Sequence, residues 1–172
     1  MKKTIFTLLL SLLLQVSFSQ GTTLTKGETV EYISNKLQEV NDTKFYSSRE
    51  SAYFHYSRQN ISLDGKKIRY TNKCVVQPSA SQLKQTPSYY SGYEVFTPEN
   101  IASIELVRTD ENGMSEMQIK FDGKVVTDDK GYISSYTYFF INNNVPQNFN
   151  RIKNALFHLK DLLKAEGDPF DN

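Results

Sequence analysis

The hydrophobic pattern of this chain changes its period twice, from helical to strand-like and back to helical. Near the start, Val30, Ile33, Leu37 and Val40 recur at spacings of three and four residues, which places them on one helical face. The middle of the chain alternates with a period of two, and the last segment returns to helical spacing. Two helices that bracket a run of short strands indicate an α+β domain built on an antiparallel sheet.

The first predicted helix covers residues 25–40. Thr25 followed by Glu28 fits a capping box, in which the hydroxyl accepts from a free amide and the carboxylate bonds back to the start of the helix. This pair places the beginning of the helix at Thr25.

The second predicted helix lies at the C-terminal end. An apolar stripe predicts that one face is buried, and its members are Phe149, Ile152, Leu156, Leu159 and Leu163. We expect Asn148 to cap its start, and Gly167 with Pro169 to end it. Phe157 lies off the stripe, about 100° from Leu156. It is therefore predicted either to touch a neighbouring loop or to be an exposed binding residue.

Several segments between the helices alternate as half-buried strands. Two clear examples have apolar residues at every second position, namely Ala102, Ile104 and Leu106, and Met117, Ile119 and Phe121. Residues 136–141 are apolar on both faces, which predicts a central strand or one beneath a helix. Glycine follows a polar residue at four places typical of tight hairpins: Asp64-Gly65, Asn112-Gly113, Asp122-Gly123 and Lys130-Gly131. Together these signals predict about seven short antiparallel strands.

The segment from Pro78 to Gly92 has no sustained period and is predicted to be a long surface loop. Tyr89, Tyr90 and Tyr93 cluster in and just after it. Exposed aromatic side chains offer a large contact area at low entropic cost, so these tyrosines, together with Phe157, are the candidate binding residues. The alternative is that the tyrosines form a lid that simply covers the core.

Residues 1–19 have the three parts of a secretory signal peptide. Lys2 and Lys3 precede an apolar run from Ile5 to Val16, and Ser17 and Ser19 provide small residues for cleavage before Gln20. The apolar run is short for a membrane span. We therefore predict a single mature domain at residues 20–172 that is periplasmic or secreted and has no stable membrane anchor after signal cleavage.

The charge balance argues against nucleic acid as a partner. The chain has 20 Lys and Arg and 19 Asp and Glu, and loss of Lys2 and Lys3 leaves 18 against 19, a net charge near −1. No basic surplus remains to attract a polyanion. Cys74 is the single cysteine, which excludes a disulfide within the chain and leaves either a buried inert thiol or a free reactive group.

The sequence contains no recognisable catalytic set. His55 and His158 are its two histidines, and no Gly-x-Ser-x-Gly motif is present. Two isolated histidines and one cysteine do not supply the closely spaced ligands of a zinc site. We therefore predict a protein that is not an enzyme and has no metal and no cofactor.

The order of elements and several phrases near the end resemble PH-like domains of exported or surface proteins of Gram-negative bacteria. Pro98-Glu99-Asn100-Ile101 leads into Ser103-Ile104-Glu105-Leu106, the last helix contains Ala155-Leu156-Phe157-His158-Leu159, and Asp168-Pro169-Phe170 follows. The resemblance implies an antiparallel PH-like barrel, or a strongly curved sheet, with an N-terminal helix and a capping C-terminal helix. It does not imply lipid binding, because the first hairpin offers few basic residues.

The function predicted from these observations is a non-catalytic binding or interaction module. Its expected partner is an unknown protein or a component of the cell envelope. One alternative is a carrier that holds a small apolar ligand inside the barrel, since barrels of about eight strands have room for one. A second alternative is a hydrolase of unknown type.

Overall fold

A computed structural model describes residues 23–47, 52–78, 86–110, 113–145 and 147–166. The predicted signal segment at 1–19 and the predicted stop residues Gly167 and Pro169 lie outside this part. In chain order the elements are α1 (Lys26–Gln38), β1 (Thr43–Ser47), β2 (Ala52–Asp64), β3 (Lys67–Pro78), β4 (Ser88–Phe96), a 3-10 helix (Pro98–Asn100), β5 (Ile101–Thr109), β6 (Met114–Phe121), β7 (Val126–Asp128), β8 (Ile133–Ser134), β9 (Tyr136–Asn142) and α2 (Asn148–Ala165).

The strands form two antiparallel sheets. Sheet A has the order β1-β2-β3-β4-β7-β8, and sheet B has the order β5-β6-β9. The described part of the chain thus confirms the predicted α+β class. It contains nine strands where the sequence predicted about seven, and the two sheets do not close into a barrel.

The predicted start of α1 is confirmed. The Thr25 hydroxyl accepts from the backbone N–H of Glu28 at 3.3 Å, while the Glu28 carboxylate accepts from the backbone N–H of Thr25 at 2.8 Å. The apolar face is buried as its spacing predicted, through Val30, Ile33 and Leu37. This face packs the helix against β2 and α2.

The stripe of α2 is also buried, at Ile152, Leu156, Leu159 and Leu163. The predicted capping role of Asn148 is wrong. Gln147 occupies the cap position without a side-chain hydrogen bond, and Asn148 is the first helical residue. Its buried amide instead donates to the Asn142 carbonyl at 2.7 Å, so it ties the helix to the end of β9.

The predicted alternation holds in β6 and fails in β5. Met117, Ile119 and Phe121 are buried, whereas Ala102 and Leu106 are exposed. The prediction for Ala102 is wrong because the pairing of β5 with β6 shifts register between 101 and 103. A register shift changes which side chains face the core. Leu106 keeps the register of Ile104, opposite Met117, but it lies on an outer strand of sheet B and is 38% exposed.

Strand β9 lies at the end of sheet B and is not central, but it contacts both α1 and α2, as the predicted alternative of a strand beneath a helix requires. Thr137, Phe139 and Ile141 face the core on one side. The second apolar face is covered by sheet A, because the Phe140 ring stacks on Tyr56 with centroids 4.2 Å apart. Contact with the other sheet explains why β9 is apolar on both faces.

A buried glutamine from sheet A occupies the outer edge of β9. The Gln59 amide nitrogen donates to the Phe140 carbonyl at 3.2 Å, and its oxygen accepts from the Phe140 N–H at 3.1 Å. The same oxygen accepts from the Tyr70 hydroxyl at 2.6 Å. The side chain therefore satisfies the backbone groups that a neighbouring strand would otherwise satisfy, and it joins the two sheets.

Gln59→Leu is expected to lower the free energy of unfolding by about 2–4 kcal/mol. The substitution leaves the N–H and carbonyl of Phe140 and the Tyr70 hydroxyl without their buried partner, and each such loss costs about 1–3 kcal/mol with partial relaxation. Urea unfolding measures the change. The matched control is Gln38→Leu on the exposed side of α1, which should stay within about 0.5 kcal/mol of the parent protein. A similarly small effect at Gln59 would contradict this role.

Candidate functional site

The predicted loop at 78–92 is wrong at both of its ends. Pro78 is the last residue of β3, and Ser88 to Phe96 form β4. β4 pairs with β3 in continuous register from Ile68 opposite Phe96 to Val76 opposite Ser88. Residues 79–85 lie outside the described part. The pairing with a long, regular β3 turns a segment of tyrosine and serine without a clear pattern into a strand, as tertiary context often does.

The candidate tyrosines are therefore on a strand, and they are exposed. Tyr89 is 83% exposed, Tyr90 58% and Tyr93 37%. Alternation places Tyr90 on the same face of β4 as Gly92 and Glu94, while Tyr89 and Tyr93 share the opposite face. Such exposure means that Tyr89 and Tyr90 do not form a lid over the core.

An open cleft of about 180 Å³ lies between β4 and the turn that follows β7. We call it the tyrosine cleft; its lining includes Tyr89, Tyr90 and Tyr93 from β4, and Asp128, Asp129 and Lys130 from the turn. The structure thus brings the three predicted tyrosines together at one site. The sequence predicted a tight hairpin at Lys130-Gly131 but did not place the charged residues of this turn beside the tyrosines.

The turn is shaped so that its carboxylates reach the strand. The Asp128 carboxylate accepts from the backbone N–H groups of Lys130 at 2.9 Å and Tyr132 at 2.8 Å. A Cβ atom on Gly92 would lie 3.2 Å from a carboxylate oxygen of Asp129. The missing side chain of Gly92 therefore leaves room for Asp129 beside β4. The Lys130 ammonium lies 5.6 Å from the centre of the Tyr90 ring, within cation–π range.

Glu94 is a functional candidate that sequence reasoning missed. Its carboxylate accepts a hydrogen bond from the Thr137 hydroxyl of sheet B. Burial raises the pKa of Glu94, and the negative charges of Asp128 and Asp129 raise it further, while the hydrogen bond from Thr137 acts in the opposite direction. The available signal was its position two residues before Phe96, since a period of two places both on the core-facing side.

The opposite face of β4 has a different electrostatic character. The Arg69 guanidinium lies 4.1 Å from the centre of the Tyr93 ring. A second open groove of about 330 Å³ on this side is lined in part by Lys67, Arg69 and Tyr93. This groove combines Lys67 and Arg69 with Asp128, whereas the tyrosine cleft combines three carboxylates with Lys130.

Phe157 is not part of this site. It is half-buried on α2, packs against the main core, and does not line the tyrosine cleft. The Lys160 ammonium lies 5.9 Å from its ring centre. The expected full exposure of Phe157 is therefore wrong, because the edge of the α2 stripe is wide enough to bury part of an off-stripe phenylalanine. Its binding role stays a prediction.

The remaining reactive side chains are dispersed. A ring nitrogen of His158 lies 2.8 Å from the Leu24 carbonyl, just before α1, and Cys74 is buried in β3. In the described ranges, no three residues of the types His, Cys, Asp and Glu are grouped closely enough to hold a metal ion. None of the helices that the structure describes is both long and apolar enough to cross a membrane.

No protein-family model, no curated protein and no solved structure matches this chain.

Glu94→Gln is expected to stabilise the protein at neutral pH and to do so less at pH 4. The folded state raises the pKa of Glu94, so the ionised carboxylate is disfavoured on folding. The parent protein then loses stability as pH rises above the ordinary glutamate range, through the folded pKa. The neutral amide of the variant cannot ionise and avoids this loss. Thermal unfolding of both proteins from pH 4 to 8 measures this difference in stability.

The control is Glu31→Gln, on an exposed position of α1. Its melting temperature should run parallel to that of the parent protein across the same range. A difference in melting temperature between Glu94→Gln and the parent protein that grows toward pH 4 would contradict the raised pKa of Glu94.

Proposed function

We propose that this chain is an exported, non-catalytic binding module that recognises its partner through the tyrosine cleft. The observation that carries the proposal is the placement of Tyr89, Tyr90 and Tyr93 along one strand, exposed, around a cleft with charged walls. Aromatic side chains that are not used for core packing are typical of contact surfaces.

Because these tyrosines are exposed, they are not part of the hydrophobic core. Tyr89 is 83% and Tyr90 58% exposed to water in the folded protein, so they contribute less hydrophobic free energy to it than a buried tyrosine does. By contrast, Tyr70 on the neighbouring strand is fully buried and bonded to Gln59. Burial raises the pKa of Tyr70, which keeps its hydroxyl a neutral donor. The chain thus uses tyrosine for structure on β3 and exposes it on β4.

Neither alternative function gains support from a specific observation. The space between the sheets holds aromatic rings in contact, with centroids 4.5 Å apart for Tyr70 and Phe139 and 5.0 Å apart for Phe96 and Phe121. An apolar ligand carried there would have to displace them. A hydrolase needs a nucleophile or an activated water beside an acid or base. The tyrosine cleft is lined by carboxylates but by no histidine or cysteine. Of these carboxylates, Asp128 accepts from the backbone of its own turn and Glu94 accepts from the Thr137 hydroxyl, so both take part in structural hydrogen bonds.

The proposal includes the PH-like architecture and the export of the protein. Two antiparallel sheets with an N-terminal helix and a closing C-terminal helix support the former. The charged, apolar and small-residue parts of residues 1–19 support the latter. An exported module of this kind would recognise a protein or a component of the cell envelope.

The double variant Tyr89→Ser, Tyr90→Ser tests the proposal. Because both side chains are exposed, its melting temperature should stay within about 2 °C of the parent protein. Binding of the labelled protein to arrays of peptides, glycans and lipids should fall at least about tenfold at every positive feature, as expected for the loss of two aromatic contacts.

The matched control is Tyr53→Ser on β2, where a 43% exposed tyrosine lies outside the tyrosine cleft. It should retain the array signals of the parent protein. Array binding that survives the double variant would contradict the proposed surface. A large fall in melting temperature would show that the tyrosines belong to the structural core.

A further inference from the structure

Strand β4 is paired along only part of its outer edge. On one side it pairs with β3 from Ser88 to Phe96. On the other side, within the residues that the structure describes, it pairs with β7 only at Glu94 and Val95. The six residues Ser88 to Tyr93 therefore have a sheet edge whose backbone donors and acceptors have no neighbouring strand in the described part.

This edge lacks the usual protection against pairing. Exposed edge strands commonly carry lysine, proline, an inward-pointing charge or a bulge, each of which discourages another strand from adding. Residues 88–93 read Ser-Tyr-Tyr-Ser-Gly-Tyr and contain no charge and no proline. Their pairing with β3 shows no register shift. Between Pro87 and Glu94 the edge therefore carries none of these protecting features, and no strand of the described ranges pairs with it.

The tyrosine cleft lies beside the same edge. Side chains of an added strand would alternate between the two faces of the sheet, so every second one would point to the face that bears Tyr90, Gly92 and Glu94. The Asp129 carboxylate lies beside Gly92 on that face, and Asp128 and Glu94 are its neighbours in the cleft. Lys130 also lines the cleft, but three carboxylates against one ammonium leave an excess of negative charge for a basic side chain on the added strand.

We propose that an extended basic segment of a partner protein adds to the Ser88–Tyr93 edge as a further strand and places a Lys or Arg side chain beside Asp129. Backbone hydrogen bonds to β4 supply affinity, and the cleft supplies the preference for a basic residue. Exposed Tyr89 and Tyr90 cover the segment from either face. This inference rests on the proposed function and specifies its partner class.

A second copy of this chain fits the edge less well. Stable dimers usually bury about 800 Å² per partner, whereas six residues of strand edge present only a short stretch of surface. The two copies would also bring their own Asp128 and Asp129 to the same junction, where like charges repel.

The proposal is tested by selecting peptides that bind the immobilised protein from a library of random linear twelve-residue sequences. The expected binders are rich in β-branched residues and contain a Lys or Arg at a fixed position. Each binder is then made in two N-methylated forms, with methyl groups on alternate backbone nitrogens. Only the nitrogens that face β4 take part in pairing, so one form should lose at least about tenfold in affinity and the other should bind like the parent peptide.

The variant Asp129→Asn tests the basic subsite. It should weaken the selected peptides at least about fivefold and reduce the salt dependence of their binding, because one carboxylate is lost. The control Asp122→Asn makes the same change at an exposed turn residue outside the cleft and should leave affinity unchanged.

Several outcomes would overturn the inference. These are failure to select any peptide, equal binding of both N-methylated forms, binding unaffected by Asp129→Asn, or a dimer in light scattering that Tyr90→Lys dissociates. If the double tyrosine variant loses glycan or lipid signals while no peptide binds, the proposed binding function stands and the strand-addition mechanism fails. If that variant loses no array signal, both fail.

Discussion

The side chain of Gln59 bonds to the N–H and the carbonyl of the same residue, Phe140, and accepts from the Tyr70 hydroxyl. Both acceptor and donor sites of one amide are thus used in the space between the sheets, where water cannot replace them. An unpaired backbone group there would cost about as much as a lost hydrogen bond. Sheet B can therefore end at β9 without a further strand, and the two sheets remain separate but joined.

The open edge of the protein lies on β4. Within the described residues, Gln59 bonds both backbone groups of Phe140 at the outer edge of β9, whereas at the outer edge of β4 only Glu94 and Val95 pair with β7. The short β7–β8 hairpin also brings Asp128 and Asp129 to the end of the covered part. A strand edge without a strand partner in the described part, exposed tyrosines and carboxylates consequently meet in one place, and this coincidence supports a recognition surface.

Local periodicity predicted much of the fold. The stripe of α2, the capping box of Thr25 and the alternation of β6 each depend on neighbouring residues in the chain, and each was predicted from the sequence. The failures involve partners distant in sequence. Asn148 turns to β9, Ala102 is exposed at a register shift with β6, and Tyr89 lies on a strand because β3 pairs with it. Tyr89, Tyr90 and Tyr93 were predicted as candidates by their clustering, but no local pattern placed Asp129 or Glu94 beside them.

The central claim is that Ser88 to Tyr93 of β4 pair with a strand on one side only. Amide hydrogen exchange, measured for each residue by NMR in the free protein, tests it. The exchange rates of successive amides should alternate between Ser88 and Tyr93. Amides that face β3 should exchange slowly, and amides that face the open edge should exchange rapidly. Uniform protection would show that another segment covers the edge, and uniformly rapid exchange would show that the segment is a loop. Either result would contradict the account.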